Sequence, residues 1–159
     1  MIKLSKTIKW IITDFDGVVT DNCVYISDDS LAISKKVNYK DLMGFAILRK
    51  NGYNVAIISG DKSGAIDYLA QRFDIKEVYQ GIRVKIDILN SIIEKYGLTK
   101  EDFVYIGDDI NDIACLEYAK YKITVPHAVE KVKNVAGIQI TDSDGGDGAF
   151  REVVDCLIG

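Results

Sequence analysis

Two carboxylates stand two residues apart in DFDG, Asp14 to Gly17, where the apolar run WII gives out. A second acidic pair, Asp108 and Asp109, ends another apolar run, FVYIG. One Asp at a strand end often does no more than cap the next turn or helix. Two such clusters ask for more. Carboxylates gathered at one sheet edge repel, and a cation among them makes the arrangement tolerable. All-oxygen donors select a hard ion, and an open site that keeps its waters suits Mg²⁺. Beside a free carboxylate such a cation suits phosphate esters, whose phosphoryl charge it neutralises. One Asp can attack phosphorus, giving an aspartyl phosphate that water later hydrolyses. A second carboxyl can protonate the leaving alcohol and afterwards activate the water, provided the two environments differ. Asp14 and Asp16, on the same side of an extended chain, can share one phosphoryl group in this way.

The elements that must position these acids follow from the rhythm of the chain. The runs IKWIITDF, NVAIISG, EVYQG, FVYIGDD, YKITV and GIQIT read as strands. The second and fourth have the continuous apolar character of buried parallel strands. Between them lie helical segments: KDLMGFAILRKNG, a face built from Ala65, Ile66, Leu69, Ala70 and Phe73, and a second from Val84, Ile88, Leu89, Ile92, Ile93 and Tyr96. DIACLEYA, AVEKVKNVA and GAFREVVDCLI complete the set. Alternating strands and helices predict an α/β fold, a doubly wound, Rossmann-like parallel sheet covered on both faces, as a single domain over 1–159. VYIS and LAISKKV, joined by DDS, predict a small hairpin at roughly 23 to 37, inserted before the first helix. Ligand sites in such sheets lie at the carboxyl ends of the strands, where Asp14, Asp16, Ser59, Asp108 and Asp109 fall.

Composition narrows the function classes. The chain has 159 residues, with 20 Lys and Arg against 24 Asp and Glu, a formal net charge of −4. That balance and the lack of a basic run argue against nucleic-acid binding. No apolar stretch approaches the roughly 20 residues that span a bilayer, and the N-terminal run is too short and too interrupted for a signal peptide. Cys23, Cys115 and Cys156 lie far apart without CxxC spacing, which speaks for small buried hydrophobes in a reducing cytoplasm.

The motifs then resemble a known family. DFDGVVTD matches the DxDGxxTD signature of the haloacid dehalogenase superfamily. ISG at Ile58–Gly60, Lys85 in GIRVKIDIL and YIGDDIND from Tyr105 are similar to its second, third and fourth motifs, in family order. The absent large cap domain, the hairpin, KVNYKDLMG, VYQGIRVK and the tail GGDGAFREV resemble the 3-deoxy-D-manno-octulosonate 8-phosphate phosphatase subfamily over almost the whole chain. The resemblance implies a Mg²⁺-dependent phosphomonoesterase acting on a small acidic sugar phosphate. Octulosonate 8-phosphate is the expected substrate and a nonulosonate 9-phosphate the alternative. It also implies Asp14 as nucleophile and metal ligand, Asp16 as general acid and base lending its backbone carbonyl to the metal, and Asp108 as the remaining ligand. Ser59, with Gly60, and Lys85 hold phosphoryl oxygens, while Asp109 and Asp112 support the metal site and Lys85.

Substrate contacts are expected from Asn38, Asp41, Asp61 and Arg151, the last aimed at a sugar carboxylate from its own or a neighbouring subunit. Two positions depart from the octulosonate group: Leu42 stands where a Gly is expected, and Asp61 where a basic residue is usual. The acid at 61 favours the nonulosonate alternative. Thr20 and Asp21 fit a turn role as well as a catalytic one, and His127 reads as a loop residue. A hairpin of about 15 residues is too small to fold as a lid by itself, and its open edges invite pairing. A homo-oligomer is therefore expected, a tetramer by resemblance. A phospho-accepting receiver domain is the reading of another class; it fits poorly, because NVAIISG ends without an Asp.

Overall fold

The computed structural model describes residues 2–159. The chain runs β1 (Trp10–Thr13), β2 (Tyr25–Ile26), β3 (Ile33–Ser34), α1 (Tyr39–Lys50), β4 (Asn54–Ile58), α2 (Gly64–Phe73), β5 (Glu77–Tyr79) and α3 (Lys85–Tyr96). It continues through β6 (Phe103–Ile106), a 3-10 turn (Ile110–Asp112), α4 (Ile113–Tyr118), β7 (Tyr121–Thr124), α5 (Glu130–Lys133), β8 (Gln139–Ile140) and α6 (Ala149–Ile158). Six strands form one sheet, ordered β5-β4-β1-β6-β7-β8, with every neighbour parallel.

Alternation along the strands loads both faces. Ile11, Ile57 and Val104 face a core with Phe45, Leu48, Ile66, Leu69, Phe150 and Val153 of α1, α2 and α6. Trp10, Ile12, Ala56, Ile58, Phe103 and Tyr105 face the other, with Leu89, Ile92, Cys115, Leu116 and Val132 of α3, α4 and α5. The first core is pinned by stacked rings, Phe45 lying 5.6 Å from Phe73 and 4.2 Å from Phe150 between centroids. This is the doubly wound architecture that the alternating runs predict.

The register sets where the chemistry emerges. Thr13, the last residue of β1, pairs with Ile57 on one side and Ile106 on the other. The residues that follow β1, β4 and β6 therefore leave the sheet at one edge. Order also matters: β1 connects leftward to β4, while β6 connects rightward to β7. The gap between β1 and β6 is thus a topological switch point, where doubly wound sheets open a crevice.

The predicted hairpin is present but minimal. β2 and β3 are two residues each, pairing Tyr25 with Ser34 and Ile26 with Ile33, and an isolated bridge between Thr20 and Val37 closes its base. Val24, Tyr25, Ile26, Leu31 and Ile33 are all at least half exposed. Burial of the cysteines is corrected in part: Cys115 is buried, Cys156 intermediate, and Cys23, on the hairpin, exposed. Val84 is also corrected, since α3 begins at Lys85 and leaves it exposed. No helix among the described residues is long and apolar enough to cross a membrane.

Candidate active site

The chain breaks out of β1 into Asp14, whose Oδ1 accepts the Phe15 backbone N–H at 2.6 Å. Gly17 then turns with a φ of +81°, and a Cβ there would lie 1.8 Å from Asp108 Oδ2. Glycine both permits that dihedral and lets the loop after β1 close on the loop after β6. Thr20 ties the turn: its hydroxyl donates to Asp16 Oδ1 at 3.1 Å and accepts from the Gly17 and Asn22 N–H groups. Gly145, from the loop before α6, sits so close to Gly17 O that a Cβ would overlap it at 1.9 Å.

Lys85 enters from the start of α3, its side chain wholly shielded from solvent. Its Nζ lies 2.8 Å from Asp14 Oδ2 and 2.8 Å from Asp112 Oδ1. Asp112 is satisfied on every side. Tyr105 donates its hydroxyl to Oδ1 at 2.8 Å, and Oδ2 accepts the N–H groups of Asp108 and Asp109 at 3.2 and 3.3 Å. Asp109 and Asp112 cap the 3-10 turn reciprocally. The resulting cleft holds about 180 Å³ and is lined by Asp14, Asp16, Ser59, Gly60, Asp61, Asp108 and Asp109, with Asn22 and Asn111. It is smaller than the roughly 300–1,000 Å³ that encloses a whole drug-sized ligand.

The donor set fits a hard cation. Asp14, Asp108 and Asp112 each offer a carboxylate oxygen within 4.8 Å of the others. Among the described residues Lys85 is the one ammonium paired inside this group, so three carboxylates face one positive charge, a deficit that a divalent ion matches. Burial raises the Asp14 carboxyl well above its usual range, as does repulsion from Asp112, and the nearby Lys85 only partly offsets this. Burial, then Asp112 and Asp109, push Asp108 up to about 7. Lys85 is raised too, which keeps it charged: burial opposes its charge, but Asp14 and Asp112 outweigh burial. Because Asp112 is fully engaged by protein donors, Asp14 and Asp108 are the carboxylates with capacity left for an ion.

Other expected residues fall elsewhere. Asp41 is corrected: it is completely buried, and its two oxygens accept the Gly148 N–H at 3.1 Å and the Arg151 N–H at 3.0 Å. It caps the start of α6, 107 residues away in sequence, so no oxygen is left to face a substrate. Burial raises this carboxyl to about 6 against the pull of those N–H groups. Asp41→Ala is expected to cost about 2 kcal/mol, since two helix-end donors lose their acceptor. Thermal denaturation should show it as a fall of roughly 4–8 °C, with α6 the first element to lose amide protection. Asn38 has protein partners of its own: its side chain caps α1 by accepting the Lys40 N–H at 2.9 Å and donates to Asp147 at 3.2 Å. Arg151 points along its own helix, its Nε 2.7 Å from Asp155. His127 is the loop residue expected, paired with Asp144.

Lys35 is the residue that sequence reasoning passed over. It follows β3 and drops its side chain, 3% exposed, between Asp16 Oδ2 at 2.6 Å and Asp61 Oδ2 at 2.9 Å. SKKV offers no local signal that one lysine turns inward. Asn22 and Asn111 were within reach, because both lie inside or beside the acidic motifs. A second cleft of about 180 Å³ opens at the amino ends of β1, β4 and β5 near Trp10, Asn54 and Glu77. Its buried acid, Glu77, is spoken for by Lys95, Tyr79 and Tyr96, and the carboxylate cluster lies elsewhere.

Residues 65–152 match the haloacid dehalogenase-like hydrolase family. The 3-deoxy-D-manno-octulosonate 8-phosphate phosphatase KdsC of Haemophilus influenzae is 31% identical over 153 residues, covering 96% of this chain and 84% of that one. The crystal structure of the corresponding phosphatase from Moraxella catarrhalis, in complex with magnesium ion, phosphate ion and KDO, superimposes with a TM-score of 0.90 at 31% identity. That match covers 96% of this chain and 87% of the other. The cobalt-bound form of the Haemophilus influenzae enzyme gives 0.87 at 30% identity, over 96% and 88% of the two chains. The chain belongs to the haloacid dehalogenase-like hydrolases and is an enzyme of the phosphatase kind.

Proposed function

We propose that this protein is a Mg²⁺-dependent phosphomonoesterase that hydrolyses 3-deoxy-D-manno-octulosonate 8-phosphate to the free sugar acid and phosphate. The carrying observation is the convergence of Asp14, Asp16, Ser59 and Asp108 on one small cleft backed by Lys85, in a chain so similar to enzymes of that name. Asp14, Asp108 and the Asp16 backbone carbonyl would hold Mg²⁺, which when bound neutralises phosphoryl oxygens. Asp14 attacks phosphorus. The bond from phosphorus to the sugar oxygen breaks, its electron pair stays on that oxygen, and the oxygen takes the proton carried by Asp16. Water then attacks the aspartyl phosphate while Asp16 accepts a proton from it, releasing phosphate and the Asp14 carboxylate. Ser59 and Lys85 steady the phosphoryl oxygens; Asp109 and Asp112 hold the loop after β6 and the Lys85 ammonium.

The cleft can take a phosphoryl group and an ion, so the sugar must extend past its mouth. The exposed apolar hairpin beside that mouth supports a homo-oligomer, a tetramer, in which a neighbouring copy covers the sugar. Asp61 at the rim favours the second reading, a nonulosonate 9-phosphate substrate. The deciding experiment compares kcat/KM for the two sugar phosphates with Mg²⁺ and after chelation. We expect the octulosonate ester to be preferred and chelation to abolish turnover. Full activity of a stable monomer in sedimentation would remove the oligomer, and full activity under chelation would remove the metal.

A further inference from the structure

We propose that Lys35 is a positioning residue for the acid–base carboxyl of Asp16, delivered to the site by the hairpin. This rests on the phosphatase reading above. The hairpin is otherwise solvent-facing: Tyr25, Ile26, Leu31 and Ile33 are 61%, 59%, 76% and 60% exposed. From this exposed ribbon one long cationic side chain is drawn inward to 3% exposure. Its ammonium sits over the Phe15 ring, 6.0 Å from the centroid, and contacts Asp16 and Asp61 at 2.6 and 2.9 Å.

Immobilising a lysine side chain costs entropy, and removing its charge from water costs more. The placement therefore reports a constraint on its partners. Asp16 Oδ2 is held by Lys35 and Oδ1 by Thr20, so the carboxyl is fixed from both ends in one rotamer. The ammonium has donors only. Oδ2, which faces the ammonium, is kept as an acceptor, so the proton destined for the leaving group must pass through Oδ1, the oxygen that Thr20 orients. Asp61 holds the second side of the ammonium at 2.9 Å. Proton transfer needs donor and acceptor aligned within hydrogen-bond reach. Without Lys35 the Asp16 side chain remains present but loses its fixed direction.

Such a role has a signature that simple hairpin docking lacks. Expelling a poor leaving group needs the proton; expelling a good one does not. The test measures kcat/KM with Mg²⁺ for phenyl phosphate and p-nitrophenyl phosphate, esters of nearly one shape whose leaving groups differ in basicity. Lys35→Met is expected to lose about tenfold more on phenyl phosphate than on p-nitrophenyl phosphate, a modest share of the ~10²–10⁴ that general acids supply. Lys35→Arg, which keeps a donor-only cation, should restore most of that ratio. Equal losses on both esters, or a ratio that Lys35→Arg fails to restore, would overturn the proposal. Neither ester carries a sugar, so wild-type turnover tests the phosphatase reading while the ratio between esters tests Lys35.

Discussion

Asp14→Asn is expected to abolish phosphate release while making the metal-free protein more stable. The loss in kcat/KM should be at least ~10⁴-fold, the scale seen when a covalent nucleophile is removed and only binding remains. An amide oxygen cannot form the aspartyl phosphate, and a carboxamide is a poorer ligand for a hard cation. The gain in stability has a separate cause. Burial and repulsion hold the Asp14 carboxyl above its usual range, so the folded chain binds a proton there that the unfolded chain releases. Stability from this group is present below about pH 4, the ordinary carboxylate value, and is lost as pH rises toward the raised folded value. Asn removes that loss. Denaturation under chelation near pH 7.5 should therefore give the variant the higher midpoint, with added Mg²⁺ raising the wild type far more than the variant. Retained turnover in the variant would remove Asp14 from the chemistry.

Much of this arrangement is legible before any coordinates, for a specific reason. An apolar run that ends in an acid marks a strand terminus, and parallel strands end on one edge, so WIITDFD and FVYIGDD have to meet. The register of Thr13 with Ile57 and Ile106 makes that meeting level. What pattern does not carry is which way a polar side chain turns once the elements have packed. Asp41 reads as a substrate contact, yet it is buried as the cap of a helix more than a hundred residues downstream. Asn38 and Arg151 look free for a ligand, yet each finds a protein partner first. Lys35 and Lys36 are adjacent and identical in type. The neighbour stays more than half exposed, paired with Asp21, while the Lys35 side chain is shielded against Asp16. Nothing in their local sequence separates them; only the folded hairpin decides which one turns inward.

Lys85→Met should produce the largest loss of stability of any single change at the site. The ammonium is completely shielded and bridges Asp14 to Asp112. Removing one partner of a buried ionic set leaves uncompensated charge, which costs about 3–5 kcal/mol and on the order of 10 °C in midpoint for a chain of this size. Met nearly preserves the volume, so a cavity is not the cause. The charge origin predicts a pH dependence. At low pH the raised carboxyls of Asp14 and Asp108 are protonated, fewer anions are left facing the missing ammonium, and the gap between variant and wild type should narrow. As pH climbs through about 7, where Asp108 ionises, the gap should widen. Asp14→Asn placed on top of Lys85→Met should recover part of the loss, a coupling that a double-mutant cycle reads directly. A deficit of the same size at pH 5 and pH 8 would assign the effect to packing. One that grows with pH makes Lys85 the counter-charge that lets three acids share the edge of this sheet before any metal arrives.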